Sequence, residues 1–280
     1  MPRLPYRVPM SSRADVITRT GDWGSIAVSP FGATVVSWCP DGVERLFTAS
    51  DASPVLGEMW HGGIPVCAPW FGRGRGDWSV PHPHGLVSRV SWRLVGEESR
   101  VDGCMLEWRT DAAATSHLPG AQHYPPDLGY SLRIEASATA LVLSLRIDSP
   151  TTEVVVDEAF HPYLRTGLPA TVSGLNGVAF RDFAADHAGS EDSALTVDRY
   201  VDRVYCGAPE TTLTDDGARL GLAGDAASSL IIWNPGPGSG MVPGDEWRDF
   251  VCIEYGNVQG NAVTIPAGGE HTLRTLLQVS

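Results

Sequence analysis

The stretch DEAFHPYL, residues 157–164, sets a histidine at the end of an extended, buried run. Val154, Val155, Val156, Ala159 and Phe160 precede it, and Pro162 removes a backbone donor just after it. Counting by two puts Phe160 on one face with Val154 and Val156, and His161 on the other with Val155 and Asp157. An imidazole changes charge near neutral pH, so His161 is a candidate acid or base, with a satisfied core histidine as the plainer alternative. In DFVCIEYGNV, residues 249–258, the same alternation places Phe250, Cys252 and Glu254 on one face, so a carboxylate extends an apolar row. Burial there raises a carboxyl's pKa, and such a group needs either a structural ion-pair partner or a role as a base. VDRVYCG, residues 201–207, adds Asp202 and Arg203, read either as an ion pair at a strand edge or, for Asp202, as an acceptor for sugar hydroxyls.

Two further constellations sit in a Pro/Gly/His-rich region. EMWHGGIPVCAPWFG, residues 58–72, brings paired glycines, two prolines and two tryptophans together. It reads as a rigid turn with Trp60 and Trp70 in the core, or as an aromatic surface on which sugar C–H faces could stack. GRGRGDWSVPHPHGLVSR, residues 72–89, contains an HPH triplet that puts His82 and His84 on one side of an extended chain. No third ligand follows at a recognisable spacing, so no metal site is expected. GRGRG neither follows a strong strand nor opens a helix, which excludes a dinucleotide fingerprint.

The elements that must hold these residues are strands. Short runs rich in Val, Ile, Leu, Thr and aromatics recur between turn residues: 24–29, 33–39, 88–95, 104–109, 130–136, 140–147, 152–160, 228–233, 249–255, 261–265 and 271–279. AASSL and GDEWRDF could begin short helical turns, but no 3.6 period persists, which disfavours a βαβ arrangement. The reading is all-β: one large antiparallel β-sandwich domain over 1–280. Two long loops, 57–85 and 115–129, are expected to carry function or to cap an open end of the sheets.

Composition narrows the chemistry. All 20 basic residues are arginine, which excludes Schiff-base and lysine-nucleophile mechanisms. A formal net charge of -13 without a basic cluster argues against nucleic acid or an anionic membrane as partner. Five scattered cysteines without a CxxC pair suit a reducing compartment. The N-terminal MPRLPYRVPMSSRADVITRTGDW lacks the apolar core of a signal peptide, and no run reaches the ~18 apolar residues of a membrane helix. The expectation is a cytoplasmic, monomeric protein with a small-molecule ligand.

GGIPVCAPWFG, the HG of PHPHGL, EAFHPYLRTG, DRVY, WNPGP and DEWRDFVCIEYGNV followed by IPAGGEHTL occur in this order. Together they resemble the aldose 1-epimerase superfamily, most closely its hexose-6-phosphate mutarotase branch, from about Gly32 to the C-terminus. The resemblance implies a galactose-mutarotase-type β-sandwich that interconverts α and β anomers of an aldose without a cofactor. It further implies Glu254 as base and His161 as acid, His84 near the reacting oxygens and Asp202 on a hydroxyl. A non-catalytic sugar-binding protein on the same fold is the alternative. Phosphate-specific members usually carry an arginine just before GGIP and another within HGFAR; here those positions are His61 and Ser88. Arg89 comes one residue late, which on a strand sends it to the opposite face, while Arg73 or Arg75 could reach in from the glycine-rich loop. His61, Arg73 and Arg89 are therefore the remaining candidates for substrate contact, and a neutral aldose is the expected substrate.

Overall fold

The structure is a computed structural model that describes residues 16–53, 57–76 and 78–279. Most of the N-terminal segment read for a signal peptide, residues 1–15, lies outside the described residues.

The architecture is an antiparallel β-sandwich, as the alternation predicts. One sheet has nine strands in the order Leu195–Val197, Ala170–Ser173, Thr211–Asp215, Ala218–Asp225, Gly269–Val279, Ala140–Ser149, Gly129–Ser137, Gly103–Asp111 and Arg93–Arg100. Its central members Gly129–Ser137 and Ala140–Ser149 alternate strictly. In Gly129–Ser137 every second residue, Tyr130, Leu132, Ile134 and Ala136, is buried, and the residues between them are only partly covered. This sheet thus has one wet face and one apolar face, as antiparallel sheets commonly do.

The second sheet runs His187–Ser190, Ala179–Asp182, Val201–Cys206, Ser229–Asn234, Phe250–Asn257, Glu158–Phe160 and Val66–Cys67, with Tyr163–Arg165 also paired to Phe250–Asn257. Its apolar face meets that of the first sheet in a shared core, to which it contributes Tyr205, Leu230, Ile232, Val251, Ile253 and Tyr255. A three-stranded sheet, Ile17–Gly21, Gly24–Ser29 and Thr34–Cys39, adds Ile26, Val28, Val35 and Trp38 to the same core. The strand Phe250–Asn257 is buried at every position, so its outer face is covered as well. That second covering comes from Phe47, Val242 and Trp247 over Phe250 and Cys252 and from the long loop expected around 57–85, and between that loop and the sheet lies the site.

Several local expectations change. The run 152–160 is two strands: Val154–Val156 pairs with Val263–Ile265, and Glu158–Phe160 joins the second sheet. The switch falls at Asp157, whose backbone N–H leaves both ladders to bond the Pro69 carbonyl at 2.9 Å. The run 88–95 begins as a 3₁₀ turn, Val87–Arg89, and becomes strand only at Arg93. AASSL forms no helix, because Ala226 adopts a left-handed φ of 55° and Ser229 already opens a strand. GDEWRDF does supply a 3₁₀ turn, Glu246–Asp249.

Candidate active site

Strand register assembles the site. Tyr163 pairs with Cys252 and Ala159 with Gly256, so the same count sets His161 directly across from Glu254. Pro162 interrupts the strand there, and the His161 N–H turns away to the Pro65 carbonyl at 3.0 Å. Side chains opposite one another in an antiparallel pair stand on one face, ~5 Å apart at Cβ. The outcome is a contact of 3.4 Å between His161 Nε2 and Glu254 Oε1. The parity argument for both residues holds: Phe160, Val154 and Val156 lie in the inter-sheet core, and His161 faces the opposite way.

The row continues across the sheet. Glu254 pairs with Ile231 and Ile231 with Val204; beside it run Cys252, Trp233 and Asp202, ending in Phe183, whose N–H bonds the Asp202 carbonyl at 2.7 Å. These rows floor a cavity of about 1160 Å³ lined also by His61, Arg73, His84, Arg89 and Tyr163. All seven residues singled out for catalysis or substrate contact line this one cavity.

Loop geometry brings the histidines in. Gly63 has a φ of 65°, and a Cβ on it would lie 2.2 Å from the Val35 carbonyl oxygen; Gly85 would meet the Ala68 oxygen at 2.0 Å. Only glycine lets these turns press against the sheet. His84, just before Gly85, is itself left-handed at a φ of 61°, an unfavourable conformation for a non-glycine residue and one that surrounding structure must enforce. This corrects the extended reading of HPH. His84 packs its ring 4.5 Å from Phe71 and 5.4 Å from His161, whereas His82 turns to Trp70 and bonds the Pro119 carbonyl at 3.0 Å. Among the described residues no group of three His, Cys, Asp or Glu side chains is placed to hold a metal.

Burial dominates the electrostatics. His161 is 4% exposed and Glu254 1%. Desolvation pushes the Glu254 carboxyl well up, reinforced by Asp202, and pushes the His161 imidazolium down to about 3. His84 is likewise driven down by burial, then by His161 and Arg89. Both members of the facing pair therefore favour their uncharged forms, and together they hold one proton. Glu254 Oε2 and His84 Nδ1 are buried without a protein partner and remain free to bond a ligand.

Asp202 does not pair with Arg203. The latter sits on the opposite parity and bonds Asp182 at 2.7 Å and Glu191, while Asp202 faces the cavity and accepts from the Tyr200 hydroxyl at 3.3 Å. Arg89 departs from expectation too. Because Val87–Arg89 is a helical turn, the strand-parity argument does not apply, and its guanidinium enters the cavity wall. There it donates to the Gly85, Gly57 and Pro83 carbonyls at 3.2, 2.8 and 2.7 Å. Arg73 also lines the wall, donating to the Pro81 carbonyl at 3.2 Å, but Arg75 turns outward to the buried Asp157 carboxylate. Ser88 is fully buried, and His61 bonds the Met241 carbonyl at 2.7 Å through Nδ1.

Sequence reasoning missed Trp233, Tyr163 and Phe71 as site walls. The Tyr163 ring stacks on His161 at 5.0 Å and Trp233 stands edge-on to it at 5.9 Å. Alternation in SLIIWN, which puts Ile231 and Trp233 on the side away from Leu230 and Ile232, carried that signal. Of the two tryptophans in the 58–72 stretch, Trp70 is core and Trp60 lines the cavity.

A two-sheet antiparallel sandwich with a roomy polar cleft on the outer face of one sheet, floored by a facing imidazole and carboxyl, defines a galactose-mutarotase-like protein. The chain belongs to the aldose 1-epimerase family, whose model matches residues 15–278. It is 29% identical over 236 residues to a Salmonella typhimurium protein named "Putative glucose-6-phosphate 1-epimerase", covering 80% of this chain and 76% of that one. An Escherichia coli protein of the same name is 28% identical over 235 residues, with the same coverage. A crystal structure titled as a "putative mutarotase (YeaD)" from Salmonella typhimurium superposes with a TM-score of 0.84 at 23% identity, covering 100% of this chain and 96% of that one. Slr1438 from Synechocystis shares the fold with a TM-score of 0.79 at 16% identity, over 98% and 99% of the two chains. The chain is thus an enzyme of the aldose epimerase kind on a mutarotase fold.

Proposed function

We propose that the protein interconverts the anomers of a neutral aldose by general acid/base catalysis, with Glu254 and His161 exchanging protons with the two oxygens of the anomeric carbon. The observation that carries this reading is the 3.4 Å approach of His161 Nε2 to Glu254 Oε1 inside a cavity large enough for a sugar. Ring opening removes the proton from the anomeric hydroxyl and adds one to the ring oxygen. A carboxylate and an imidazolium do this together, ending as carboxylic acid and neutral imidazole; reclosure on the other face reverses both transfers. The pair carries one proton in either state. Its net charge never changes, which suits a site where desolvation penalises charge.

Burial by itself favours the neutral combination. A bound sugar brings hydroxyls that can hydrogen-bond the free Glu254 Oε2, and such bonds support the ionised carboxylate needed to begin. His84 would bond near the reacting oxygens, and Asp202 would accept from a hydroxyl farther along the ring. Tyr163 and Trp233 supply flat apolar surface for its C–H face.

A neutral substrate is favoured by what occupies the two phosphate-reading positions. Ser88 is sealed from the cavity, and His61 is spent on the Met241 carbonyl. Arg89 keeps its charge but commits three N–H groups to carbonyls. NMR exchange measurements of anomer interconversion on glucose, galactose and glucose 6-phosphate test the proposal. Faster exchange of the free sugars supports it. A strong preference for the phosphate ester would assign Arg73 and Arg89 to a phosphate and refute the neutral-substrate reading, and binding without faster exchange would refute catalysis.

A further inference from the structure

His84 keeps its left-handed φ of 61° only while neighbouring contacts enforce it. Those contacts converge from Arg89. Its Nη2 donates to the carbonyl of Pro83, the residue before His84, at 2.7 Å, and its Nε to the carbonyl of Gly85, the residue after, at 3.2 Å. One guanidinium thus pins the main chain on both sides of the strained residue. Its Nη1 donates to the Gly57 carbonyl at 2.8 Å, and the Gly57 N–H returns a bond to the Arg89 carbonyl at 3.2 Å. The same side chain therefore ties the start of the 57–85 loop to its end. Arg89 is only 4% exposed, a costly place for a cation, yet burial brings its pKa down no further than about 10, so it stays charged at neutral pH. That charge is spent on three main-chain oxygens, and charge-assisted bonds of this kind are roughly twice as strong as neutral ones.

We propose that Arg89 is a positioning residue of the catalytic site, which clamps the main chain around His84 and so aims that imidazole at the reacting oxygens beside His161. The proposal rests on the mutarotase reading, in which His84 bonds near those oxygens, and it turns Arg89 from a substrate contact into a brace. Three features support the brace. His84 Nδ1 is buried without a protein partner, so no hydrogen bond from that nitrogen fixes the ring, and its aim comes from the backbone and from packing on Phe71 at 4.5 Å and His161 at 5.4 Å. The three carbonyls belong to separate stretches of chain, and a planar fork with a donor on every nitrogen can serve them together where a single ammonium cannot. The positive charge of Arg89 also adds to burial and His161 in keeping His84 neutral, so its ring retains a lone pair to accept from a sugar hydroxyl as well as an N–H to donate.

The test is a double-mutant cycle read as anomer exchange by NMR on glucose, with Arg89→Met and Arg89→Lys each made alone and together with His84→Ala, joined by crystal structures of the single Arg89 variants. Arg89→Met should lower kcat by about 10²-fold, the cost of misplacing a group at the reacting atoms by ~1 Å, and leave KM nearly unchanged. Arg89→Lys should lose nearly as much, although it keeps the charge and the aliphatic stem. In the His84→Ala background either substitution should cost less than about twofold, since no ring is left to aim. Equal losses in both backgrounds, as a merely structural role gives, overturn the proposal. So do a rise in KM alone, full activity of Arg89→Lys, or full activity of His84→Ala. If Arg89→Met does not fold, Arg89→Lys carries the cycle. If the wild type interconverts no sugar, the mutarotase reading fails and the crystal structure of Arg89→Lys judges the clamp by itself. His84 released from its left-handed φ, or its ring drawn away from His161, upholds the clamp, and a ring left in place rejects it.

Discussion

Glu254→Gln isolates the proton chemistry from everything else the side chain does. Glutamine has the same shape, keeps an oxygen and gains an N–H pair within reach of His161 Nε2, so the 3.4 Å contact and the packing of Phe250–Asn257 survive. What is lost is the capacity to take and return a proton. One positioned acid or base contributes about 10²- to 10⁴-fold, which corresponds to ~3 to 5 kcal/mol of barrier. NMR exchange rates on the preferred sugar should fall by that factor. Stability should move the opposite way. Burial raises the folded-state pKa of Glu254 well above its ordinary value of 4.5, so the stabilising share of the neutral acid is complete below that value and is lost as pH rises through the raised pKa. The amide escapes this loss. Thermal denaturation should therefore show the variant more stable than wild type at pH 8, with the gap closing towards pH 4.5. Activity within tenfold of wild type would remove Glu254 from the mechanism, and a variant less stable at pH 8 would overturn the argument from desolvation.

His161→Ala should slow exchange by a comparable 10² to 10⁴, and the double variant with Glu254→Gln should be little slower than either single one, because the two groups act as a unit; additive losses in the rate cycle would contradict the paired relay. The kcat/KM profile should show no acid limb near 6.5, because burial holds the His161 pKa down at about 3; an acid limb near 6.5 would show an accessible imidazole instead. Asp157→Ala should destabilise the fold by ~3 kcal/mol in chemical denaturation, since it frees the backbone N–H groups of Phe71 and Gln259, both 3.0 Å from the carboxylate, and unpairs Arg75; a change below ~1 kcal/mol would mean water replaces it at no cost.

Much of the fold was legible because long strands obey a period of two. Tyr130, Leu132, Ile134 and Ala136, like Leu141, Leu143, Leu145 and Ile147, point one way with solvent-side residues between, and no helix pattern competes. The stretch from Ala170 to Asp225 was read far less well. Most of its strands are short, Leu195–Val197 being only three residues long, and His187–Ser190 is exposed throughout, so apolar alternation there is too brief or absent to mark them. In the site, parity correctly aimed His161 and Glu254 but could not say that they meet. That depends on the register between Tyr163 and Cys252, which a one-residue slip would destroy. Arg89 was misplaced for the converse reason. Parity was applied to Val87–Arg89, three residues that form a turn, where successive side chains do not alternate. The cavity aromatics Phe183 and Tyr200 gave no sequence signal, since isolated aromatics in irregular segments resemble core.

The two catalytic candidates owe their properties to a single architectural choice. Phe250–Asn257 is covered on both faces, by the opposing sheet on one side and on the other by Phe47, Val242 and Trp247 over Phe250 and Cys252 and by the cavity walls over Glu254. A strand in that position normally carries only apolar residues. Placing a carboxyl there costs stability, and with an imidazole across from it one proton shared by the two leaves the buried pair without net charge. The burial that disfavours either ion alone thus permits their exchange. A sugar needs such an exchange, giving a proton at one oxygen and receiving one at its neighbour.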